Sequence, residues 1–215
     1  MTMNRSHAAL IAQLSDELEP VRQMRARGGY LLIGLAALVT FLCVWVAAGL
    51  WDGVITGEAS PFYIIANGLL LLVALASVGA TIALATPSVG NRQDGPRWTL
   101  AMLCVLPVSA LVAATVPGAG MTSIVDPHAL SCLASALAAG LLVFACLAIW
   151  LRRSAPVSIA LAGTSAGIAA GAAGSFRYGL SCPVDTLTHL SIWHVAPALL
   201  GGFLGRISLP RIIRW

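Results

Sequence analysis

The chain has 215 residues, 59% of them hydrophobic and 9% charged, with a mean hydropathy of +0.91. A soluble domain carries about a quarter charged residues, so this composition excludes an ordinary water-covered domain and points to transmembrane helices. All 12 basic residues are Arg, the formal net charge is +4, and the chain has no basic run of the kind that binds nucleic acid.

Residues 6–19, "SHAALIAQLSDELE", predict a short amphipathic helix. Leu10, Ile11, Leu14 and Leu18 form a stripe at helical spacing, with Gln13, Asp16 and Glu17 off it. Pro20 ends the pattern, and Val21 and Met24 carry the apolar set onward. Arg22, Arg25 and Arg27 suit anionic headgroups, which fits a helix lying on lipid. The helix itself carries acids where a surface anchor carries Lys or Arg. An apolar stripe on an acidic helix therefore favours a basic, grooved protein partner, with Arg22 and Arg25 beside the stripe. Residues 1–29 lack the layout of a secretory signal, because acids precede the first apolar stretch, so the first span is expected to stay in the mature protein.

A helix needs about 20 apolar residues to cross a bilayer core. Six runs qualify: 30–50, 62–85, 98–116, 128–151, 157–178 and 190–205. Turn-forming breaks separate them: "WDGVITGEASP", "TPSVGNRQDGP", "PGAGMTSIVDP", "RRSAP" and "RYGLSCPVDTLTH". The expected organisation is a cytoplasmic arm at 1–29, a transmembrane domain at 30–208 and a tail at 209–215. With six spans both termini share a side. That side would hold Arg5, Arg22, Arg25, Arg27, Arg92, Arg97, Arg152, Arg153, Arg206, Arg211 and Arg214, and the other side only Arg177. Positive residues stay inside, so both termini are expected in the cytoplasm.

The fifth span contains "GTSAGIAAGAAG", with Gly163, Gly167 and Gly171 four apart, and the sixth contains Gly201 and Gly205. Small residues at that spacing share one helix face and let backbones approach. Packing within the bundle is the expected use, and a homodimer through the same face is the other. The chain has no internal repeat to suggest an inverted-repeat transporter. The spans offer mainly Asn67, Ser77, Thr81, Ser109 and Ser135, with no mid-span acid or base for a transported ion, so a small transporter or metal-handling protein is the weaker alternative.

The soft and titratable residues gather on the non-cytoplasmic side. His128 and Cys132, at i and i+4, open the fourth span on one helix face. Cys182, Asp185, His189 and His194 flank the start of the sixth, and Asp185 and His189 would share a face if the helix begins early enough. Cys43, Cys104 and Cys146 lie inside spans and read as small apolar residues. For Cys132 and Cys182 three readings stand: a permanent disulfide, a reversible thiol switch, or a soft-metal site with nearby imidazoles. The chain has no GxSxG, HExxH, CxxC or phosphate loop, so no enzyme is expected.

Two segments carry a resemblance. "LSDELEPVRQMR" is similar to the N-terminal pattern of the NrsF-type anti-sigma factors (negative regulator of sigma F). "YGLSCPVDTLTHLSIWHVAP", with the closing "LGRISLPRIIRW", resembles the last hairpin and C-terminus of that family. The resemblance implies a multi-pass protein of the bacterial inner membrane that sequesters an extracytoplasmic-function sigma factor. It also implies a heavy-metal stress response through paired cysteines, which map onto Cys132 and Cys182. His128, His189, His194 and Asp185 join that site by proximity in sequence. The arm residues Leu10, Ile11, Leu14, Leu18, Val21, Arg22, Met24 and Arg25 are the expected partner-binding set. No constitutive cofactor is expected; a soft ion such as copper, zinc or cadmium would act as the signal. The expected fold is all-α: a six-transmembrane-helix bundle preceded by a short amphipathic helix, with both termini cytoplasmic.

Overall fold

The computed structural model describes residues 3–16, 25–85, 95–114 and 126–213. Among them the regular structure is entirely helical. The elements run α1 (Met3–Asp16), α2 (Ala26–Ala48), α3 (Asp52–Thr56), α4 (Pro61–Leu84), α5 (Gly95–Ala114), α6 (Ala129–Arg152), α7 (Ile159–Gly179), α8 (Leu187–Trp193) and α9 (Ala196–Ile212). Backbone in lipid must bond to itself, and long apolar runs do so as helices. The starts are set by small oxygen-bearing caps. Ser60 accepts from the Tyr63 N–H with Pro61 in the first turn, Ser158 accepts from Leu161, and Thr186 accepts from His189.

Five stretches are long and apolar enough to cross a membrane: Ala26–Ala48, Pro61–Leu84, Ala129–Arg152, Ile159–Gly179 and Leu187–Ile212. The third expected span coincides with α5, which is apolar over Trp98–Ser109; its expected end at 115–116 lies outside the described residues. The sixth expected span is not one continuous rod. It breaks at His194 and Val195 between α8 and α9, because Pro197 takes the N-terminal position of a new helix. The first connection also holds a helical turn, α3, closed by Gly57.

The glycine faces meet each other. A Cβ on Gly163 or Gly167 would overlap the Gly205 or Gly201 carbonyl oxygen of α9, and one on Gly171 would overlap that of Pro197. Nearer the C-terminal end of α7, a Cβ on Gly174 would overlap the Ala136 carbonyl oxygen of α6. Helix α7 thus sits at the centre, packed against α9, α6 and α4. Lipid supplies no hydrophobic drive between helices, so close van der Waals packing of small residues holds the bundle. The face proposed for a homodimer is already occupied by α9 of the same chain.

Helix α2 is held differently. Only 17% of its most apolar window is buried, against 72% for α7. Arg177 of α7 is buried, and its Nε donates to the Ala37 carbonyl at 3.0 Å. Ala37 is midway along α2, so a basic group does reach mid-span, contrary to the sequence expectation. At the end of α2, Ser181 Oγ donates to the Gly49 carbonyl at 2.5 Å and the Trp51 N–H donates to the Leu180 carbonyl at 3.0 Å. Gly49 has a φ of +72°, a region that favours glycine. In α1, Leu10, Ile11 and Leu14 are exposed, as are the other described side chains of that helix. Leu18, Val21, Arg22 and Met24 lie outside the described residues; Arg25 is exposed just before α2.

Candidate functional site

Five chain segments meet at one end of the bundle: the end of α2, the starts of α4 and α6, the loop after α7, and α8. Cys132 lies one turn into α6, its N–H bonded to the His128 carbonyl at 2.8 Å. The α7 helix closes at Gly179, and a turn from the Cys182 N–H to the Gly179 carbonyl (3.2 Å) aims the thiol inward. The Thr186 cap then starts α8 so that His189 falls in its first turn, and His194 ends α8.

The two thiols are free and 3.4 Å apart. His189 Nε2 lies 3.6 Å from Cys182 Sγ. One ligand atom from each of Cys132, Cys182, His189 and His194 falls within 4.8 Å of the others, and all four residues are buried. Ligands at the usual Zn–S and Zn–N distances of a tetrahedron sit roughly 3.3–3.8 Å apart. The observed thiol–thiol and thiol–imidazole separations match that spacing. Both ring nitrogens of His194 are buried without a hydrogen-bond partner. A buried imidazole with neither nitrogen satisfied is costly, and an ion among the four groups would engage one of the two. The donor set, two sulfurs and two imidazoles, suits zinc, copper(I) or cadmium.

Asp126 orients the set. Its Oδ2 is 2.6 Å from His189 Nδ1, and its Oδ1 accepts the His128 N–H at 2.8 Å. Nδ1–H pointed at the carboxylate leaves Nε2 as the lone-pair nitrogen facing Cys182, the arrangement that fixes a metal-binding tautomer. Burial pushes the Asp126 carboxyl up, but the bonds from His189 and from the His128 backbone outweigh it and hold the group below its ordinary value. Cys182 is lowered too: the hydrogen bond from Cys132 is the main cause, burial opposes it, and His189 and His194 add to the lowering. Metal ligation and oxidation both proceed through the thiolate, the form that the imidazoles beside Cys182 favour.

Two expected members lie elsewhere. His128 is exposed at the start of α6, outside the four-residue group. Asp185 precedes the Thr186 cap, so it does not share a helix face with His189. Its carboxylate accepts the Ser60 N–H and Ser60 Oγ–H, each at 2.7 Å, and ties the loop after α7 to the start of α4. Asp126 was missed by the sequence reading. The available signal was an acid just ahead of the span that carries Cys132, on the same side as the thiols. Tyr63 and Asn67 also support the site: Tyr63 Oη donates to the Gly179 carbonyl, and Asn67 Nδ2 donates to the Tyr63 carbonyl at 3.0 Å.

The comparisons with known proteins agree with the resemblance. A family model described as negative regulator of sigma F, NrsF, matches residues 14–215. The anti-sigma-F factor NrsF of Caulobacter vibrioides (strain NA1000 / CB15N) is 38% identical over 90 residues, which is 40% of this chain and 40% of that protein. No solved structure matches. With the family model covering residues 14–215, the bundle and the four-residue site included, this chain belongs to the NrsF family, the negative regulators of sigma F.

Proposed function

We propose that this chain is an inner-membrane anti-sigma factor whose Cys132, Cys182, His189 and His194 site senses a soft metal ion or an oxidant. Its role is regulatory, not catalytic. The arm at Leu10, Ile11, Leu14, Leu18, Val21, Arg22, Met24 and Arg25 holds an extracytoplasmic-function sigma factor in the resting state. Both termini are cytoplasmic and the site faces the opposite side, a placement the arginine distribution supports. The observation that carries the reading is the buried four-ligand cluster with its oriented histidine.

The route to the arm runs through α2. Ser181, adjacent to Cys182, bonds the end of α2, and Leu180 bonds the segment that follows it. Drawing four ligands onto one ion, or two sulfurs into a disulfide, shifts the 180–186 loop. That loop grips the helix that carries the arm, so the shift reaches the sigma-binding stripe. Packed helices answer such a pull by discrete displacement. A tenfold loss of sigma affinity needs about 1.4 kcal/mol of coupling. Structural zinc binding is worth roughly 10 kcal/mol or more, ample for that.

The test uses the full-length protein in lipid nanodiscs with the purified sigma factor. Wild type captures the sigma factor and releases it at least tenfold on addition of cadmium. Leu14→Asp abolishes capture. Cys132→Ser captures normally but fails to release. Normal capture by Leu14→Asp refutes the arm assignment, and metal-triggered release from Cys132→Ser refutes the sensor assignment.

A further inference from the structure

A second feature of the bundle lies away from the thiols. Between α2 and α4 a cavity of about 190 Å³ opens, lined by Ile33, Gly34, Leu71, Leu75, Phe176 and Arg177 among others. Gly34 and Leu75 are exposed, so the mouth faces the lipid side of the bundle. A Cβ added at Gly34 meets nothing within 4 Å. The lining is apolar apart from Arg177 and the hydroxyl of Tyr30.

Arg177 is 7% exposed. Its Nε is used on the Ala37 carbonyl, but Nη1 is buried with no hydrogen-bond partner. Among the described residues no carboxylate pairs with it. An ionised side chain at this depth is expensive, and such residues serve a bound group or a counter-charge. Ala37 lies eleven residues from either end of α2, roughly 17 Å at 1.5 Å per residue. Phosphodiester headgroups sit at the interface, about 15 Å from the bilayer centre, so they are out of reach. The head that fits must be small, anionic and attached to an apolar chain. The cavity exceeds the roughly 150 Å³ voids that take up a benzene-sized apolar molecule.

We propose that the crevice between α2 and α4 binds a membrane-dissolved long-chain carboxylate of the fatty-acid class, its carboxylate on Arg177 and its chain leaving past Gly34. The site sits against α2 independently of the thiol cluster, so it gives the bundle a second input from the lipid phase. It depends on the membrane-spanning arrangement and not on the sensing of metal.

The test measures binding of oleate to the full-length protein in zwitterionic nanodiscs, by native mass spectrometry and by the shift in thermal midpoint. Wild type binds one oleate per chain and is stabilised by it. Arg177→Gln loses at least tenfold in oleate affinity. Gly34→Phe, which blocks the mouth and leaves the guanidinium in place, loses binding while keeping the midpoint measured without oleate. A phosphatidylglycerol arm without oleate leaves the wild-type midpoint where zwitterionic lipid puts it. Equal oleate binding by wild type and both variants overturns the proposal. Stabilisation by phosphatidylglycerol and not by oleate overturns the choice of a carboxylate head.

Discussion

Helices α7 and α2 are both apolar and both pack against α4 and α6, yet they are fastened by different means. Along α7, glycines bring backbone against backbone, and a single added methyl has nowhere to go. Along α2 most of the surface is left to lipid, and named polar bonds at Ala37, Gly49 and Trp51 fasten it to the end of α7 and the loop beyond. Close-packed interfaces transmit strain and resist deformation; α2, which buries Gly29, Ile33, Ala36 and Thr40 and little else, has less packing to break when it shifts. The contrast teaches where movement belongs. The rigid element carries the loop with Cys182, and the loosely held one follows the arm.

The largest expected effect breaks the rigid side. Gly167→Leu drives a side chain into the Gly201 backbone, where neither partner can rotate away. Overpacking usually costs about 1–3 kcal/mol, and this site lies at or beyond the top of that range. Chemical unfolding in detergent should show the loss, while Gly34→Ala on α2, where a Cβ meets open space, changes stability by less than about 0.5 kcal/mol. Comparable losses from both would erase the contrast.

Next in size is removal of a ligand. His194→Ala removes one of four candidate donors, and competition with a chelator should show zinc affinity falling by about 100-fold or more, since four-coordinate sites depend on every ligand. The same substitution also deletes an imidazole that has no partner in the metal-free protein, so the apo protein should not lose stability through a broken hydrogen bond. A smaller effect follows from Asp126→Asn. The amide cannot hold the His189 tautomer as the carboxylate does, and losses of about 10–100-fold accompany such second-layer changes.

The smallest effect sharpens the link between the two helices. Ser181→Ala removes the bond to the Gly49 carbonyl, worth about 1 kcal/mol. Zinc affinity should stay within about twofold by the same chelator competition, because no ligand is touched. Metal-triggered release of the sigma factor should weaken several-fold. Unchanged release would move the route away from α2.

Much of the bundle was readable because span length is imposed by bilayer thickness, and runs such as 62–85 and 128–151 can satisfy that only as helices. The convergence of Cys132 and Cys182 was readable through sidedness alone: the alternation of spans puts both thiols at one end. The break at His194 had one sequence signal, Pro197, set inside an apolar run that otherwise continues through it. The condition for Asp185 to share a face with His189 is not met, because α8 starts at Leu187 with Thr186 as its cap, after the acid, and the Asp185 carboxylate takes its hydrogen bonds from Ser60, 125 positions away. Asp126 escaped notice for the same reason. Its partner, His189, is 63 positions distant in sequence, and no local pattern encodes that pairing. The glycine stripe announced close approach but not its partner, which proved to be α9 of the same chain.

The most direct test is X-ray absorption at the zinc edge on the full-length protein loaded with one equivalent of zinc. Two sulfur ligands at about 2.3 Å and two imidazole nitrogens at about 2.0–2.1 Å, with the sulfur shell halved in Cys182→Ser, are the expected result. A first shell without sulfur, or failure to retain the ion after buffer exchange, would contradict a Cys132, Cys182, His189 and His194 site.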